Sequence, residues 1–288
     1  MRFPWHKYEE IPVSRRNTLQ VFITNRCNMS CEQCFARHAM AESPHADMDI
    51  AQYARVLANA LDRGVQQINL LGGEPLMHPK VYDFITMNKL AGLKTTLYTN
   101  GSLLSRIDPR KLQGAKLRVS IYSLEDQKGI NLIESYDPDI EFDANFMTSS
   151  TTTVVEMLEV ADVAERVHGC RVFFIFSMRE CDNPAQEFFC DTEATGTTFG
   201  YKQLVHTFLE KYRGAMDIHV SKRGVFESTL QLPCKRCNFA NVFPGGKIIQ
   251  CPFDVVNLVW QPDYMFGVRD CQQNSTCLMS KVVYRPIR

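Results

Sequence analysis

Between residues 19 and about 222, short β-rich runs alternate with longer amphipathic segments, and this alternation constrains the fold more than any other feature. LQVFIT at 19–24 is typical of a strand, whereas the segment 48–64 has Tyr53, Leu57 and Leu61 at helical spacing. The same analysis predicts strands at 19–24, 66–71, 94–99, 117–122, 140–147 and 171–177, and helices at 48–64, 80–90 and 154–167.

Strands that alternate with helices of this length pair in parallel, because parallel neighbours need a crossover connection. About six strand–helix units can be counted, too few for a complete eight-unit barrel. We therefore expect an α/β protein with a partial (β/α)6 TIM-like barrel over residues 19–222. An N-terminal extension, 1–18, would precede it, and a small cysteine-rich domain, 223–288, would follow it. The turn-rich segment 181–200 predicts a loop over the barrel mouth.

The composition excludes some classes of partner. Lysine plus arginine balance aspartate plus glutamate at 32 each, so no global field attracts nucleic acid or an anionic membrane. No apolar run approaches the roughly 18 residues that a membrane span needs, and the N-terminus lacks the apolar core of a signal peptide. We therefore expect a cytoplasmic protein with a small-molecule or peptide substrate. In that compartment, eleven cysteines favour metal binding or catalysis over disulfides.

The first cysteine group follows the first predicted strand directly. TNRCNMSCEQCF contains Cys27, Cys31 and Cys34 in a Cys-x3-Cys-x2-Cys spacing. Three thiolates on one loop can bind three irons of a four-iron, four-sulfur (4Fe-4S) cluster and leave one iron open, whereas a saturated cluster takes four cysteines. The alternative is a fragment of a zinc site, which would need a distant fourth ligand.

With LLGGEP at 70–75 and TNG at 99–101, this spacing resembles the radical S-adenosylmethionine (radical SAM) superfamily, and the resemblance covers the whole predicted barrel. It implies that an open iron and the strand ends bind S-adenosyl-L-methionine, with the glycine–glycine–glutamate segment holding the methionine amino group. The glycines would also let the backbone approach a ligand closely. The cofactor residues that the resemblance implies are Gly72, Gly73, Glu74, Asn100, Ser120, Ser123, Asn145 and Phe35. Family members usually have an aromatic residue before the third cysteine, whereas this chain has Gln33 there and Phe35 two places on.

A second cysteine group lies between residues 234 and 277 and resembles the auxiliary-cluster extensions called SPASM and twitch domains. Five cysteines support one further 4Fe-4S cluster, so the shorter twitch type matches better. Gly245 and Gly246 would turn a hairpin that delivers Cys251. The expected ligands are Cys251, Cys271 and Cys277 with either Cys234 or Cys237, and a zinc ribbon is the alternative.

The resemblance implies a radical SAM oxidoreductase or isomerase that acts on a small natural-product, carbohydrate or peptide substrate, by epimerisation or dehydrogenation. Cysteines left unligated, namely the spare member of Cys234 and Cys237, then Cys181 and Cys190, are candidate hydrogen-atom donors. A flavodoxin- or ferredoxin-type protein would supply electrons. Peptide-modifying relatives often carry an N-terminal leader-binding domain, for which 1–18 is too short. The alternatives of another class are a non-catalytic iron–sulfur carrier and a zinc-stabilised interaction module.

Overall fold

The computed structural model describes residues 8–11, 18–31, 34, 36, 40–41, 43–122, 140–148, 152–166, 169–177, 201–221, 241–246, 248–249 and 281–284. Its strands are β1 Tyr8–Ile11, β2 Thr18–Thr24, β3 Gln67–Gly72, β4 Lys94–Thr99, β5 Ala115–Ile121, β6 Phe142–Thr148, β7 Val172–Ser177, β8 Asp217–Ser221, β9 Asn241–Val242, β10 Ile248–Ile249 and β11 Lys281–Tyr284. Its α-helices are α1 Ile50–Asp62, α2 Val81–Leu90, α3 Val154–Arg166 and α4 Tyr201–Lys211.

Within the described residues, the strands form one sheet in the order β1-β11-β8-β7-β6-β5-β4-β3-β2-β9-β10. The strands from β2 to β8 pair in parallel in chain order, and β9 pairs in parallel with β2, so eight strands are parallel. This arrangement agrees with the predicted partial α/β barrel. The six expected strands are β2 to β7, and the short strands β8 and β9 extend the parallel part of the sheet.

The two faces of the sheet differ in chemistry. Leu117, Val119 and Ile121 of β5 are at most 1% exposed and belong to the hydrophobic core that the helices cover. Lys116 and Arg118, which alternate with these core residues along β5, lie on the opposite face, which we call the inner face. Because neighbours along a strand point to opposite sides, one face packs against helices and the other can bind polar groups.

A polar cluster occupies the middle of the inner face. The Arg118 guanidinium donates to the Tyr98 hydroxyl at 2.5 Å and to the Asp143 carboxylate at 3.2 Å. The ring of Phe174 stacks against the same guanidinium, with 3.9 Å between the ring centroid and the guanidinium carbon. Since Asp143 also pairs with Lys116 at 2.9 Å, this buried carboxylate is compensated by two cations.

The flanking segments join the same sheet. β1, from the predicted N-terminal extension, pairs with β11 from the C-terminal end, and β11 pairs with β8. The predicted hairpin at Gly245 and Gly246 is confirmed: both residues have φ +83°, and β9 and β10 pair antiparallel around them. Its first strand is β9, Asn241–Val242.

Cys170 lies in the hydrophobic core: it is 4% exposed, and its Sγ donates to the carbonyl of Val172 at 3.2 Å. Among the described residues, no helix is long and apolar enough to cross a bilayer.

Candidate functional site

The cysteine loop begins where β2 ends, at the carboxyl edge of the parallel strands. Cys27 is exposed, Cys31 and Cys34 are partly exposed, and all three are free thiols. The Sγ of Cys27 accepts the backbone N–H of Met29 at 3.4 Å, and the Sγ of Cys31 lies 3.8 Å from the hydroxyl of Tyr122. The active-site edge of a parallel α/β barrel is this carboxyl edge, so the loop lies where ligands bind in this architecture.

Arg26 fixes the entry to the loop. Its Nε and Nη2 donate to the two carboxylate oxygens of Asp47 at 3.1 and 2.6 Å, and Nη2 also donates to the carbonyl of Met77 at 3.0 Å. The hydroxyl of Thr24 donates to the same carboxylate at 2.6 Å. Forked, charge-assisted bonds of this kind hold both partners in one orientation. Three separate segments therefore meet at the residue before Cys27.

Gly72 and Gly73 pack against the start of the same loop. The backbone N–H of Gly73 donates to the carbonyl of Thr24 at 2.9 Å, and that of Glu74 donates to the carbonyl of Arg26 at 2.8 Å. A Cβ at position 73 would lie 2.3 Å from the carbonyl oxygen of Arg26. The close approach that the sequence suggested for a ligand is thus made by the chain itself, and the glycines leave room for the cysteine loop.

Glu74 is fully buried, and its carboxylate is bound by the chain. Oε1 accepts the backbone N–H of Leu76 at 3.0 Å and the hydroxyl of Thr99 at 2.8 Å, while Oε2 accepts the N–H of Asn100 at 2.7 Å. Burial raises the pKa of Glu74 to about 6, and these three hydrogen bonds oppose the shift. Glu74 therefore ties the end of β3 to the end of β4.

Three polar side chains form a closed ring beside Cys27. The Asn28 Nδ2 donates to the Ser102 Oγ at 2.7 Å, the Ser102 Oγ donates to the Asn100 Oδ1 at 2.5 Å, and the Asn100 Nδ2 donates to the Asn28 Oδ1 at 3.0 Å. We call these residues the amide–hydroxyl ring. It joins the cysteine loop to the turn that follows β4.

Ser120 and Asn145 are paired neighbours on β5 and β6 and lie on the inner face near the strand ends. Asn145 is 7% exposed, and its Oδ1 is buried without a hydrogen-bond partner among the described residues. A buried carbonyl oxygen without a donor is costly, so such a group favours a ligand that donates to it. Tyr122 lies two residues beyond Ser120, just past the end of β5.

The donor set fits an iron–sulfur cluster. Three reduced, accessible thiols lie on one loop with no disulfide among them, and thiolates are the ligands that such clusters take. Cys27 as a whole is exposed, but partial desolvation of its thiol raises the pKa of Cys27; the N–H of Met29 opposes this shift, and the nearby Glu74 and Cys31 add to it. Within the described residues, no group of three or more histidine, cysteine, aspartate or glutamate side chains is arranged to hold a single metal ion. A cluster binds each cysteine through a different iron, so its ligands are spread around it.

Several expected site residues lie outside the described residues and remain predictions. They are Phe35, Ser123, Cys181, Cys190, Cys234, Cys237, Cys251, Cys271 and Cys277. Of the remaining site residues, the structure brings Gly73, Glu74 and Asn100 together with the residues on either side of Cys27 at one edge. The paired Ser120 and Asn145 lie on neighbouring strands.

The sequence analysis missed Arg26, Asn28, Ser102 and Tyr122. Only Tyr122 carried a usable signal, since strand alternation puts it on the same face as Ser120. The partners of the other three are distant in sequence, for example Ser102 for Asn28. No local pattern could have identified those contacts.

Comparison with known proteins supports this arrangement. Residues 21–126 match the sequence model of the radical SAM superfamily. Molybdenum cofactor biosynthesis protein 1 of Mus musculus is 37% identical over 110 residues, which cover 37% of this chain and 17% of that protein. The GTP 3',8-cyclase of Peptoclostridium acidaminophilum is 32% identical over 120 residues, which cover 40% of this chain and 37% of that enzyme.

A third relative matches over a longer segment. It is an S-adenosylmethionine-dependent nucleotide dehydratase of a Thermoplasmatales archaeon, 26% identical over 166 residues, or 57% of this chain and 53% of that protein. The matched segments therefore span at most about half the length of these relatives.

Solved structures share the fold over most of the chain. Streptococcus suis SuiB, solved with bound S-adenosylmethionine, superposes with a TM-score of 0.63 at 16% identity, covering 86% of this chain and 63% of SuiB. The anSMEcpe structure, with bound AdoMet and the Cp18Cys peptide, superposes with a TM-score of 0.58 at 14% identity, covering 89% and 81%. At these identities the likeness concerns the fold. The match to the radical SAM superfamily itself covers residues 21–126.

Proposed function

We propose that the chain is a radical SAM enzyme that removes a hydrogen atom from a small-molecule or peptide substrate. The observation that carries this proposal is the junction at the carboxyl edge. There hydrogen bonds join the cysteine loop, the glycine–glycine–glutamate segment and the turn after β4. These bonds run between Gly73 and Thr24, between Glu74 and Arg26, and between Glu74 and Asn100. Such a junction presents three thiols beside several polar strand ends.

Cys27, Cys31 and Cys34 would hold three irons of a 4Fe-4S cluster and leave the fourth for S-adenosylmethionine. Bound there, the two groups would supply a one-electron cleavage of the C5′–S bond and a 5′-deoxyadenosyl radical. The chain itself binds, orients and excludes water. Phe22 stacks on Phe243 with ring centroids 4.1 Å apart, and both pack with Leu71 in an apolar cluster. Because Cys34 packs against this cluster, water is excluded from one side of the cysteine loop.

The cofactor would be held by side chains at the neighbouring strand ends. The unpartnered Oδ1 of Asn145, with Ser120 beside it, fits a ligand that donates hydrogen bonds. Glu74 would hold the methionine amino group through the acceptor position left on Oε2 beyond its bond to Asn100. Gly72, Gly73 and Asn100 would shape the backbone around it, and Phe35 and Ser123 remain candidates from the sequence.

The substrate class rests on relatives and stays open between two chemistries. SuiB was also crystallised with its precursor peptide SuiA, which favours a peptide or another small substrate. The GTP cyclase and nucleotide dehydratase relatives are named for nucleotides. Their matched segments cover 40% and 57% of this chain, so they do not separate these substrates. Ribosomal-peptide maturation remains the alternative within the same chemistry.

A second, auxiliary cluster belongs to this proposal. Its ligands would be Cys251, Cys271 and Cys277 with Cys234 or Cys237, and the hairpin β9–β10 ends two residues before Cys251. A cysteine left over there, or Cys181, would return a hydrogen atom in an epimerase. In a dehydrogenase the cluster would instead accept the second electron. Of the two reactions we favour epimerisation, which is redox-neutral. A flavodoxin or ferredoxin would supply electrons to the first cluster.

Anaerobic assays test the chemistry directly. Wild-type protein should form 5′-deoxyadenosine and methionine and should hold about eight irons per chain. Cys31→Ala should abolish cleavage, whereas Cys170→Ala, a matched change in the core, should not. Cleavage at full rate in Cys31→Ala would overturn the proposal. Stoichiometric zinc in place of iron would restore the zinc-module alternative, and iron without cleavage would indicate an electron carrier.

The product distinguishes the two reactions. Epimerisation in heavy water should give a product of unchanged mass except for one solvent deuterium, because a thiol hydrogen exchanges with solvent. Dehydrogenation should give a product two hydrogens lighter, with no solvent deuterium at the reacting carbon. A mass loss of two hydrogens would contradict the redox-neutral preference.

A further inference from the structure

The span from Cys27 to Cys31 has few backbone anchors. The last backbone hydrogen bond before this span is the one that the carbonyl of Arg26 accepts from the N–H of Glu74 at 2.8 Å. Among the described residues, no backbone–backbone hydrogen bond joins 27–31 to the rest of the chain. Cys27, Asn28, Met29 and Ser30 are exposed. Side chains must therefore hold two of the three cysteines in place.

The amide–hydroxyl ring supplies that restraint next to Cys27. Each of Asn28, Asn100 and Ser102 donates one side-chain hydrogen bond to the next and accepts one from the previous member. Bonds that run in one direction around a ring polarise one another and strengthen cooperatively. The ring is therefore a stiffer connection than three separate surface contacts.

The direction of the ring is fixed by the backbone. The N–H of Ser102 can only donate, and it donates to the Asn100 side chain at 3.0 Å, so the atom facing it is Oδ1. The Asn100 Nδ2 must then face Asn28, whose Oδ1 accepts it at 3.0 Å. This leaves the Asn28 Nδ2 for the Ser102 hydroxyl. The amide orientations thus follow from one donor of known polarity.

The ring is also anchored in the core. The backbone N–H of Asn100 donates to Oε2 of the fully buried Glu74 at 2.7 Å, and the hydroxyl of Thr99 binds Oε1 of the same carboxylate at 2.8 Å. A continuous path of hydrogen bonds therefore leads from a buried carboxylate through the turn after β4 to the residue beside Cys27. A displacement of that turn would move the cysteine loop with it.

We infer that Asn28, Asn100 and Ser102 are positioning residues for the first cluster: the ring holds the Cys27–Cys31 span in the geometry that the cluster needs. This inference rests on the proposed function, because it assumes a cluster on these cysteines. It assigns a role to Ser102, an exposed serine in a turn remote from the cysteines in sequence.

The test uses variants at one exposed position. Ser102→Ala removes the hydroxyl that closes the ring, and Ser102→Thr keeps a hydroxyl there. Ser105→Ala makes the same change at an exposed serine three residues on, whose side chain makes no hydrogen bond to the described residues. In the iron-free protein, iodoacetamide should alkylate Cys31 about two- to fivefold faster in Ser102→Ala, as expected for losing one net hydrogen bond. The threonine variant should restore the wild-type rate.

The cluster-loaded protein gives a second readout. After anaerobic reconstitution, a chelator should strip iron from Ser102→Ala about two- to fivefold faster than from wild type, with an altered electron paramagnetic resonance spectrum of the reduced cluster. Ser105→Ala should match wild type. If Ser102→Ala behaves as Ser105→Ala in both measurements while wild type cleaves S-adenosylmethionine, the ring inference fails and the proposed function stands. If wild type takes up no iron, the proposed function fails, and thiol alkylation alone decides whether the ring restrains the loop.

Discussion

The hydroxyl of Tyr122 lies 3.8 Å from the Sγ of Cys31, so the end of β5 reaches across the sheet edge to the cysteine loop. In the structure the thiol is the donor. A cysteine that binds iron is a thiolate and can only accept, so the Tyr122 hydroxyl would then donate to sulfur. Hydrogen bonds to the sulfurs are one of the factors that set the reduction potential of an iron–sulfur cluster.

Tyr122→Phe should therefore lower the reduction potential of the first cluster. The missing donor no longer stabilises the extra negative charge of the reduced state. Spectroscopic redox titration of reconstituted protein measures the shift. Tyr82→Phe, which removes a hydroxyl on α2, is the matched control and should leave the potential unchanged. An unchanged potential in Tyr122→Phe would show that this contact does not act on the cluster.

Replacing Arg26 tests the entry to the loop. Arg26→Lys keeps the charge but loses the fork that binds both oxygens of Asp47, and the side chains of both residues are only 32% exposed. We expect the free energy of unfolding to fall by about 1–2 kcal/mol, as measured by urea denaturation.

Arg110, whose side chain is 78% exposed, has a similar fork to Asp108 and serves as the control. Arg110→Lys should cause no measurable change, because water already surrounds its guanidinium. Equal effects of the two substitutions would contradict the role assigned to Arg26.

The glycine before Glu74 should tolerate no side chain. In Gly73→Ala the new Cβ would meet the Arg26 carbonyl oxygen at 2.3 Å and the Cys27 Cβ at 2.7 Å, so the backbone has to move. We expect a loss of at least about 2 kcal/mol in the free energy of unfolding. Gly64→Ala meets no atom within 4 Å but has φ +70°, so it should cost only about 1 kcal/mol. A smaller loss at position 73 than at 64 would refute the packing argument.

Cys170 should be inert in the folded protein. Burial raises its pKa to about 12, so hardly any thiolate is present at pH 8, and the thiolate is the reactive form. Peptide mapping after iodoacetamide treatment at pH 8 should find Cys27 modified and Cys170 unmodified until urea is added.

The raised pKa of Cys170 also determines how this residue changes the stability of the protein with pH. The folded state binds the thiol proton of Cys170 more tightly than the unfolded state does. The resulting contribution to the free energy of unfolding is complete below the ordinary pKa of 9.0 and is lost as the pH rises toward about 12. In Cys170→Ala, stability should therefore decline less steeply above pH 9. Labelling of Cys170 in the native protein would show that it is not buried in solution.

Much of the architecture was predictable from the sequence, because strand and helix periods are local. The six expected strands and three expected helices are present, with bounds shifted by at most about two residues. Strands β1, β8 and β11 were missed, and of the β9–β10 hairpin the sequence indicated the turn but not the position of its first strand. A two-residue strand such as β9 carries no period of its own and exists because β2 offers it a free edge.

The cysteine spacing and the glycine–glycine–glutamate segment by themselves indicated the chemistry of the site, since residue type and spacing decide what a loop can bind. Only the tertiary structure decided the contacts that hold this site together. Gly73 makes room for the Arg26 carbonyl, Glu74 binds the turn after β4, and Ser102 closes the ring on Asn28. These pairs are set by which strand ends lie side by side in the sheet. That adjacency is a property of the packed core, whereas a local pattern reports only the residues next to each other along the chain.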